Sequence, residues 1–218
     1  MNVVHNCDCM HGMKNYPDKY FDLAIVDPVY GGVTKGGYMT NEKSTESLAK
    51  ARVYHKSLWN QEKTSKEYFD ELFRVSKNQI IWGGNYFVES IAKDSQCWIV
   101  WDKQNGANSF ADCELAWTSF NRASRIFRFR WQGMLQGDMK EKEKRIHPTQ
   151  KPVALYEWLL DNFADYGYII LDTHVGSGSS RIACEKRGYD FIGYEIDEVY
   201  YKDQEERFKN EKWSVPLF

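Results

Sequence analysis

The sequence lacks any apolar run that approaches the ~18 residues of a membrane-spanning helix. Its first residues, from Met1 to His5, also lack the basic stretch and apolar core of a secretory signal. We therefore expect a cytoplasmic protein that does not act in a membrane. Hydrophobic residues make up 42% of the 218 residues, which excludes a chain that is disordered throughout.

Cysteine is scarce and scattered. The sequence has no C-x-x-C pair, and no cysteine and histidine have the spacing of a zinc site. An odd number of cysteines at irregular spacing also gives no disulfide framework. We expect no bound metal, and reduced, mostly buried thiols at Cys7, Cys9, Cys97, Cys113 and Cys184.

The chain carries little net charge, but the charge is unevenly distributed. The formal net charge is only −2, which says nothing about partners. Between Ser119 and Lys151, however, nine lysines and arginines stand against three acidic residues, a net charge of +6. A local basic stripe is typical of a surface that binds a polyanion. An ordinary solvated hairpin is the alternative.

Short apolar runs, several of them continuous as in strands buried on both faces, alternate with helical patterns. They predict strands at Phe21–Val26, Gln79–Trp82, Cys97–Trp101, Glu114–Thr118, Ile126–Arg130, Tyr168–Leu171 and Asp190–Tyr194. Helices are predicted from a capping box at Thr64 to Ser76, and at Val153–Phe163, Ser179–Lys186 and Val199–Lys209. We expect an α/β fold with a doubly wound, mostly parallel sheet.

One domain over residues 1–218 fits this length. Two polar regions without periodicity follow predicted strands, the glycine-containing loop 31–63 and the stretch Lys103–Asp112. Long loops inside a compact domain are usually functional or disordered. In α/β folds the working loops lie at the carboxyl ends of strands. Both regions are therefore candidate working loops.

A glycine-rich turn, DTHVGSGSS at residues 172–180, connects a predicted strand to a predicted helix. Glycines let the backbone approach a ligand closely, and a helix N-terminus offers free N–H groups. Glu195 ends the following strand, where a carboxylate can bind ribose hydroxyls. A tight turn without a ligand is the alternative. Only 23 residues follow Glu195, which argues against an ordinary nicotinamide dehydrogenase.

The predicted strand Phe21–Val26 ends in a second candidate motif, DPVYG at residues 27–31. Asp27 can accept a hydrogen bond from an amino group, Pro28 leaves its carbonyl as a second acceptor, and Tyr30 offers a flat stacking face. Together these groups suit an exocyclic amino group on a planar base. A turn that only ends the strand is the alternative.

The third stretch is RIHPTQKP at residues 145–152, directly before the helix Val153–Phe163. It can be a helix start alone, although Lys151 could meet a carboxylate near the strand of Asp172. The three stretches together, DPxY, HPTQKP and DxxxGSGS, resemble the amino-directed DNA methyltransferases that use S-adenosylmethionine. The order, with the catalytic motif first and the cofactor motif last, resembles the permuted beta group of that family.

The resemblance implies roles for individual residues. Asp27, Pro28 and Tyr30 match the catalytic motif. The implied cofactor-binding residues are Asp8, Lys151, Asp172, His174, Gly176, Ser177, Gly178 and Glu195. Among them, Glu195 matches the acid that binds ribose, Asp8 the acid near adenine, and Lys151 the lysine near the methionine end of the cofactor.

Two positions depart from the family pattern. Val29 replaces the usual second proline of the catalytic motif, and His174 replaces a usual phenylalanine. We expect Val29 to be tolerated, because the family uses this stretch through its backbone and its ring. His174 changes one packing contact with the cofactor and leaves binding itself intact.

The implied reaction is methyl transfer from S-adenosylmethionine to an exocyclic amino nitrogen of a flipped DNA base. None of the five prolines is followed by cysteine, which excludes the cysteine nucleophile of carbon-5 cytosine methylation. In this family an Asp-initiated motif favours adenine N6, so Asp27 predicts adenine. Cytosine N4 is the alternative, because both bases present a similar amino group.

The basic stripe lies where the family carries its target-recognition segment, here about residues 120–146. The resemblance implies double-stranded DNA as the partner, contacted by Arg122, Arg125, Arg128, Arg130, Lys142 and Lys144. A homodimer and a restriction-modification role are implied by the resemblance alone. Other classes left open are methylation of RNA or of a protein glutamine, and a protein that binds cofactor and DNA without catalysis because of Val29.

Overall fold

The computed structural model describes residues 1–31, 62–106, 111–132, 135–137, 139–140 and 142–211. Its strands are β1 (Asn2–His5), β2 (Phe21–Val26), β3 (Ser76–Trp82), β4 (Ile99–Asp102), β5 (Cys113–Thr118), β6 (Arg125–Arg128), β7 (Trp131–Gln132), β8 (Leu135–Gln136), β9 (Ile169–Asp172) and β10 (Asp190–Tyr194). Its α-helices are α1 (Cys9–Met13), α2 (Lys66–Val75), α3 (Val88–Ile91), α4 (Val153–Phe163), α5 (Ser179–Arg187) and α6 (Glu198–Asn210).

Eight of these strands form one sheet in the order β1-β10-β9-β2-β3-β5-β4-β6. Neighbouring strands from β1 to β3 are all parallel, β5 is antiparallel to β3 and β4, and β6 is again parallel to β4. The predicted α/β fold with a mostly parallel sheet is confirmed. The strands β7 and β8 form a separate hairpin.

Each face of the sheet is covered by its own hydrophobic core. In β2, Leu23 and Ile25 pack into the core that contains α4 and α5, whereas Ala24 and Val26 pack into the core that contains α1 and α2. Successive side chains of a strand point to opposite faces, so a strand covered on both sides is apolar throughout. The continuous apolar run in the sequence has this cause.

The predicted capping box at Thr64 is wrong. Helix α2 begins one residue later, with Ser65 as N-cap, and ends at Val75, so that Ser76 belongs to β3. Thr64 instead donates its backbone N–H and its hydroxyl to the Val29 carbonyl, at 3.0 and 3.1 Å. The residue is therefore used to fix the turn after β2.

Most other predicted elements lie within a few residues of their observed bounds, and α4 and β10 have the bounds predicted. Strand β1 was not predicted, because four residues carry too short a pattern. The predicted loop 31–63 falls outside the described residues except at Gly31, Glu62 and Lys63, as does part of Lys103–Asp112. Within the described ranges, no helix has the length and apolar character needed to cross a membrane.

Gly193 in β10 provides the space into which the start of the glycine-rich turn packs. A Cβ built at Gly193 would lie 2.4 Å from Val175 Cγ2 and 2.8 Å from the Phe191 ring. We expect Gly193→Ala to lower the free energy of unfolding by about 1–3 kcal/mol, as overpacking of a core does, in urea denaturation. Adding Val175→Ala should recover part of that loss, and strict additivity of the two changes would contradict this packing account.

Candidate active site

The candidate site lies where strand order in the sheet reverses. Chain order runs from β9 through β10 towards one edge, and from β2 through β3 towards the other, so that β9 and β2 meet in between. In open α/β sheets, ligands bind outside the carboxyl ends of strands at this point. The motif of Asp27 follows β2, and the turn of Asp172 follows β9, so the fold brings the first and last sequence motifs side by side.

Asp27 is held through both oxygens of its carboxylate. The Tyr30 hydroxyl donates to Oδ1, and the Lys151 ammonium lies 2.6 Å from Oδ2. The Tyr30 ring stacks on Tyr86 with ring centroids 5.0 Å apart. The ring also meets Phe87 edge-on at 5.8 Å and lies against Gly83, where a Cβ would be 2.2 Å from it. The carboxylate is thus fixed in direction by contacts from three segments of the chain.

Lys151 also contacts a carboxylate that sequence reasoning missed. Its Nζ lies 3.0 Å from Glu114 Oε2, and Lys103 pairs with the other oxygen of Glu114. Burial alone would raise the pKa of Glu114, but Lys151 and Lys103 lower it to about 2. The pKa of Lys151 is raised by Asp27 and Glu114 against the effect of burial. An acid inside the otherwise apolar run of β5 was the sequence signal for this residue.

Asp172 is buried at the end of β9. The Ser180 hydroxyl donates to Oδ2 at 2.5 Å, and the His174 backbone N–H donates to Oδ1 at 2.9 Å. Burial raises the pKa of Asp172 to about 7, although both hydrogen bonds act in the opposite direction. The nearby charge of Asp27 raises it further. The carboxyl group is therefore poised to lose or gain a proton near neutral pH.

The predicted glycine-rich turn is present. Gly176 and Gly178 have φ of +51° and +77°, a region that non-glycine residues rarely adopt. The Gly176 N–H donates to Glu195 Oε2 at 2.8 Å, and the Asp197 N–H donates to Oε1 at 2.9 Å. Burial raises the pKa of Glu195. The carboxylate that sequence analysis assigned to ribose binding thus also holds the turn, with lone pairs left on both oxygens.

His174 is partly exposed beside the turn. Its imidazole is uncharged at neutral pH because desolvation lowers its pKa to about 4. Its Nδ1 lies 2.9 Å from the Thr173 hydroxyl, which also lies 2.6 Å from the Tyr68 hydroxyl. Asp8 follows β1 at the same edge of the sheet and caps α1 by accepting from the Met10 N–H at 2.8 Å. Both residues lie at the edge of the sheet where the strands end, and their roles towards the cofactor stay predictions.

The basic segment forms the last strand of the sheet, β6, and the chain that follows it. Four of its predicted DNA-contacting residues, Arg125, Arg130, Lys142 and Lys144, are exposed, and Arg128 is exposed while pairing with Asp102 at 3.6 Å. Arg122 differs, because it donates to the Asn162 carbonyl at 2.6 Å and covers the Phe163 ring. Its contacts are with α4.

Glu143, an acid within the basic segment, points inward. Its carboxylate accepts from the Val153 N–H at the start of α4 at 2.8 Å and from Arg207 of α6 at 2.7 Å. Arg207 also donates to the Ser177 carbonyl at 2.8 Å. A chain of contacts therefore connects the basic segment to the glycine-rich turn, which no sequence pattern indicated.

The groups at this edge of the sheet suit a cation that also carries hydroxyl groups. Carboxyl groups of Asp8, Asp27, Asp172 and Glu195 follow four strands, and acids accept from ammonium and hydroxyl donors. Within the described part of the chain, no cluster of histidine, cysteine and acidic side chains could hold a metal ion.

Parts of the chain are similar in sequence to known DNA methylases. Residues 114–206 match the family described as DNA methylase, a stretch that includes Glu114, Lys151, Asp172 and Glu195. The chain is 39% identical to the type II methyltransferase M.HpaI of Haemophilus parainfluenzae over 70 residues, 32% of this chain and 22% of that protein. It is 32% identical to the putative methylase YubD of Escherichia coli strain K12 over 88 residues, 35% and 39% of the two chains. The matches thus span well under half of either relative.

Solved structures resemble the fold over nearly the whole chain. The M1.HpyAVI–SAM complex superposes with a TM-score of 0.58 at 20% identity, covering 95% of this chain and 100% of that one. The cytosine-N4-specific PvuII DNA methyltransferase superposes with a TM-score of 0.60 at 11% identity, covering 99% and 88%. These likenesses show the fold. The predicted resemblance to amino-directed DNA methyltransferases is confirmed, and the permuted beta group stays a prediction.

The raised pKa of Asp172 predicts a stability that depends on pH. Because its pKa rises from about 4 in the unfolded chain to about 7 in the folded chain, the folded state loses stability as pH rises through that interval. An asparagine at this position would carry no charge and would keep an acceptor for the His174 N–H. We therefore expect Asp172→Asn to stabilise the protein relative to wild type, and increasingly so between about pH 4 and pH 7, in urea denaturation. Asp18→Asn, at an exposed acid, is the control, and an advantage independent of pH would contradict the assignment.

Proposed function

We propose that this chain transfers a methyl group from S-adenosylmethionine to the N6 amino group of a flipped adenine in double-stranded DNA. The observation that carries the proposal is the carboxylate of Asp27, fixed by Tyr30 and Lys151 beside the glycine-rich turn. The family match over residues 114–206 and the similar fold of known DNA methyltransferases support the same interpretation.

The residues present fit S-adenosylmethionine. Glu195 has lone pairs for ribose hydroxyls, and Asp172 and Asp27 offer negative charge to a ligand that carries both an ammonium and a sulfonium group. Two similar structures, M1.HpyAVI and TTHA0409 of Thermus thermophilus, were solved with this molecule. TTHA0409 is 17% identical, with a TM-score of 0.58, and covers 100% of this chain and 96% of its own.

When bound, S-adenosylmethionine supplies an electrophilic methyl group, bonded to its sulfonium sulfur. The protein's part is to make the amino nitrogen a better nucleophile, since its lone pair is delocalised into the base. Hydrogen bonds from the amino group to the Asp27 carboxylate and the Pro28 carbonyl favour a pyramidal nitrogen and stabilise the positive charge that develops on it. Lys151, which stays protonated because Asp27 and Glu114 raise its pKa, acts as a donor to Asp27 and takes no proton from the nitrogen.

Adenine is proposed on the Asp-initiated motif. Cytosine N4 is the second candidate, because the PvuII enzyme with that specificity has a similar fold. The catalytically inactive alternative was motivated by Val29. The Val29 carbonyl is held by Thr64, which supports a turn that keeps its shape without a second proline. A homodimer and a cytoplasmic location stay predictions.

The direct test is to incubate the full chain with labelled S-adenosylmethionine and unmethylated genomic DNA, then to identify modified nucleosides by mass spectrometry. N6-methyladenine is the expected product. N4-methylcytosine would keep the reaction and overturn the base assignment. Label in RNA, or none at all with cofactor binding intact, would overturn the proposed activity.

Two substitutions should separate catalysis from cofactor binding. We expect Asp27→Asn to reduce methyl transfer by at least about 100-fold, while S-adenosylhomocysteine affinity by calorimetry stays near that of wild type. Glu195→Gln should do the reverse and weaken S-adenosylhomocysteine binding first, because it removes the carboxylate assigned to ribose. Asp18→Asn again serves as the control. Strong loss of ligand affinity in the Asp27 variant would mean that its role is misassigned.

The exposed arginines of β6 should contribute to DNA affinity through phosphates. We expect Arg125→Gln with Arg128→Gln to weaken binding similarly for all sequences, and to lower the slope of log affinity against log salt by about 2, near 1 per phosphate contact. Arg187→Gln, which removes an α5 arginine paired with Asp161, is the matched control. An unchanged salt slope would move the DNA-binding face to another part of the molecule.

A further inference from the structure

Four charged side chains of alternating sign form a continuous row at the candidate site. Lys151 Nζ lies 2.6 Å from Asp27 Oδ2 and 3.0 Å from Glu114 Oε2, and Lys103 contacts Glu114 Oε1. The row joins residues that follow β2 and β4, the start of β5 and the residue before the Pro152 N-cap of α4. Asp27 and Lys151 belong to motifs that sequence analysis identified, whereas Glu114 and Lys103 do not.

The buried ammonium of Lys151 contacts more carboxylate groups than it needs for neutralisation. The Lys151 side chain is only 4% exposed, so its ammonium needs a carboxylate partner. One partner would neutralise it, yet two contact it. Lys103, whose side chain is 19% exposed, touches only the far oxygen of Glu114. The charge next to Lys151 is therefore one ammonium between two carboxylates.

The second carboxylate, Glu114, matters because positive charge changes place during the proposed reaction. In the proposed reaction, the nitrogen lone pair forms the N–C bond while the C–S bond breaks and its electrons go to sulfur. Positive charge thus passes from the sulfonium to the amino nitrogen, which then loses a proton to solvent water. An ammonium at 2.6 Å from Asp27 opposes that charge unless another anion offsets it.

We infer that Glu114 is a positioning residue that offsets the Lys151 ammonium, so that Lys151 can orient Asp27 without cancelling its negative charge towards the cofactor and the target nitrogen. The inference rests on the proposed function and adds a residue to it. Glu114 acts through Lys151 and is not assigned a contact with either substrate. Lys103 partly neutralises Glu114 and so determines how strongly Glu114 offsets the Lys151 ammonium.

The two outer residues allow a purely structural role to be separated from an electrostatic one. Glu114→Gln and Lys103→Met both break the same Lys103–Glu114 contact. The first makes the site more positive, and the second makes it more negative. Local loosening of the structure would shift the measured ligand affinities of both variants in the same direction. The charge argument requires shifts in opposite directions.

The readout is the ratio of two affinities measured by calorimetry on the full chain. S-adenosylmethionine carries a sulfonium, and S-adenosylhomocysteine has a neutral sulfur at the same position. We expect Glu114→Gln to lower the ratio of S-adenosylmethionine to S-adenosylhomocysteine affinity by about three- to tenfold, as loss of one nearby charge at an effective dielectric constant of ~20 does. Lys103→Met should raise that ratio. Single-turnover methyl transfer should fall about tenfold or more in the Glu114 variant.

Glu157→Gln is the matched control, because Glu157 lies on α4, pairs with Arg187 at 3.3 Å, and has a similarly part-exposed side chain. Ratios that stay at the wild-type value in both variants, or that shift in the same direction, would overturn the inference while leaving the methyl-transfer activity of the wild type in place. If Glu114→Gln does not fold, Lys103→Met alone decides through the sign of its shift. A wild-type chain that binds neither ligand would overturn the proposed function itself, and the inference with it.

Discussion

The contact between Lys151 and Asp27 is the interaction on which the arrangement of the site depends. The two residues are 124 positions apart, one after the second strand and the other just before α4. Isolated ammonium and carboxylate groups are costly to bury, and their pairing offsets part of that cost. Their pairing fixes the start of α4 against the end of β2. The contact lies next to the point where β2 pairs with β9, the strand that leads into the glycine-rich turn.

Electrostatics at this edge of the sheet divides into two kinds of carboxyl group. Glu114 is kept ionised by two lysines that lower its pKa, whereas burial raises the pKa of Asp172 to about 7. Carboxyl groups in different environments can thus hold different protonation states within one site.

Much of the fold was predictable because its signals are local. The strand of residues 21–26, the helix of residues 153–163 and the glycine-rich turn follow from apolar runs, spacing and glycine. Thr64 was misassigned because its competing partner, the Val29 carbonyl, lies 35 positions away in sequence. Glu114 and Lys103 were missed for the same reason, since only the fold shows that an acid in β5 reaches Lys151. Contacts between distant segments carry no signature in a single sequence.

The position of β6 at the edge of the sheet bears on aggregation between molecules of this chain. Among the described strands it is the last of the sheet, and it carries the exposed apolar side chain of Ile126. A terminal strand offers backbone N–H and C=O groups to any other strand, which is a route to edge-to-edge aggregation. Arg125 and Arg128 are the first and last residues of this strand. Charged side chains on an edge strand discourage such pairing. The positive charge proposed to meet phosphates thus also opposes pairing of β6 with a strand of another molecule.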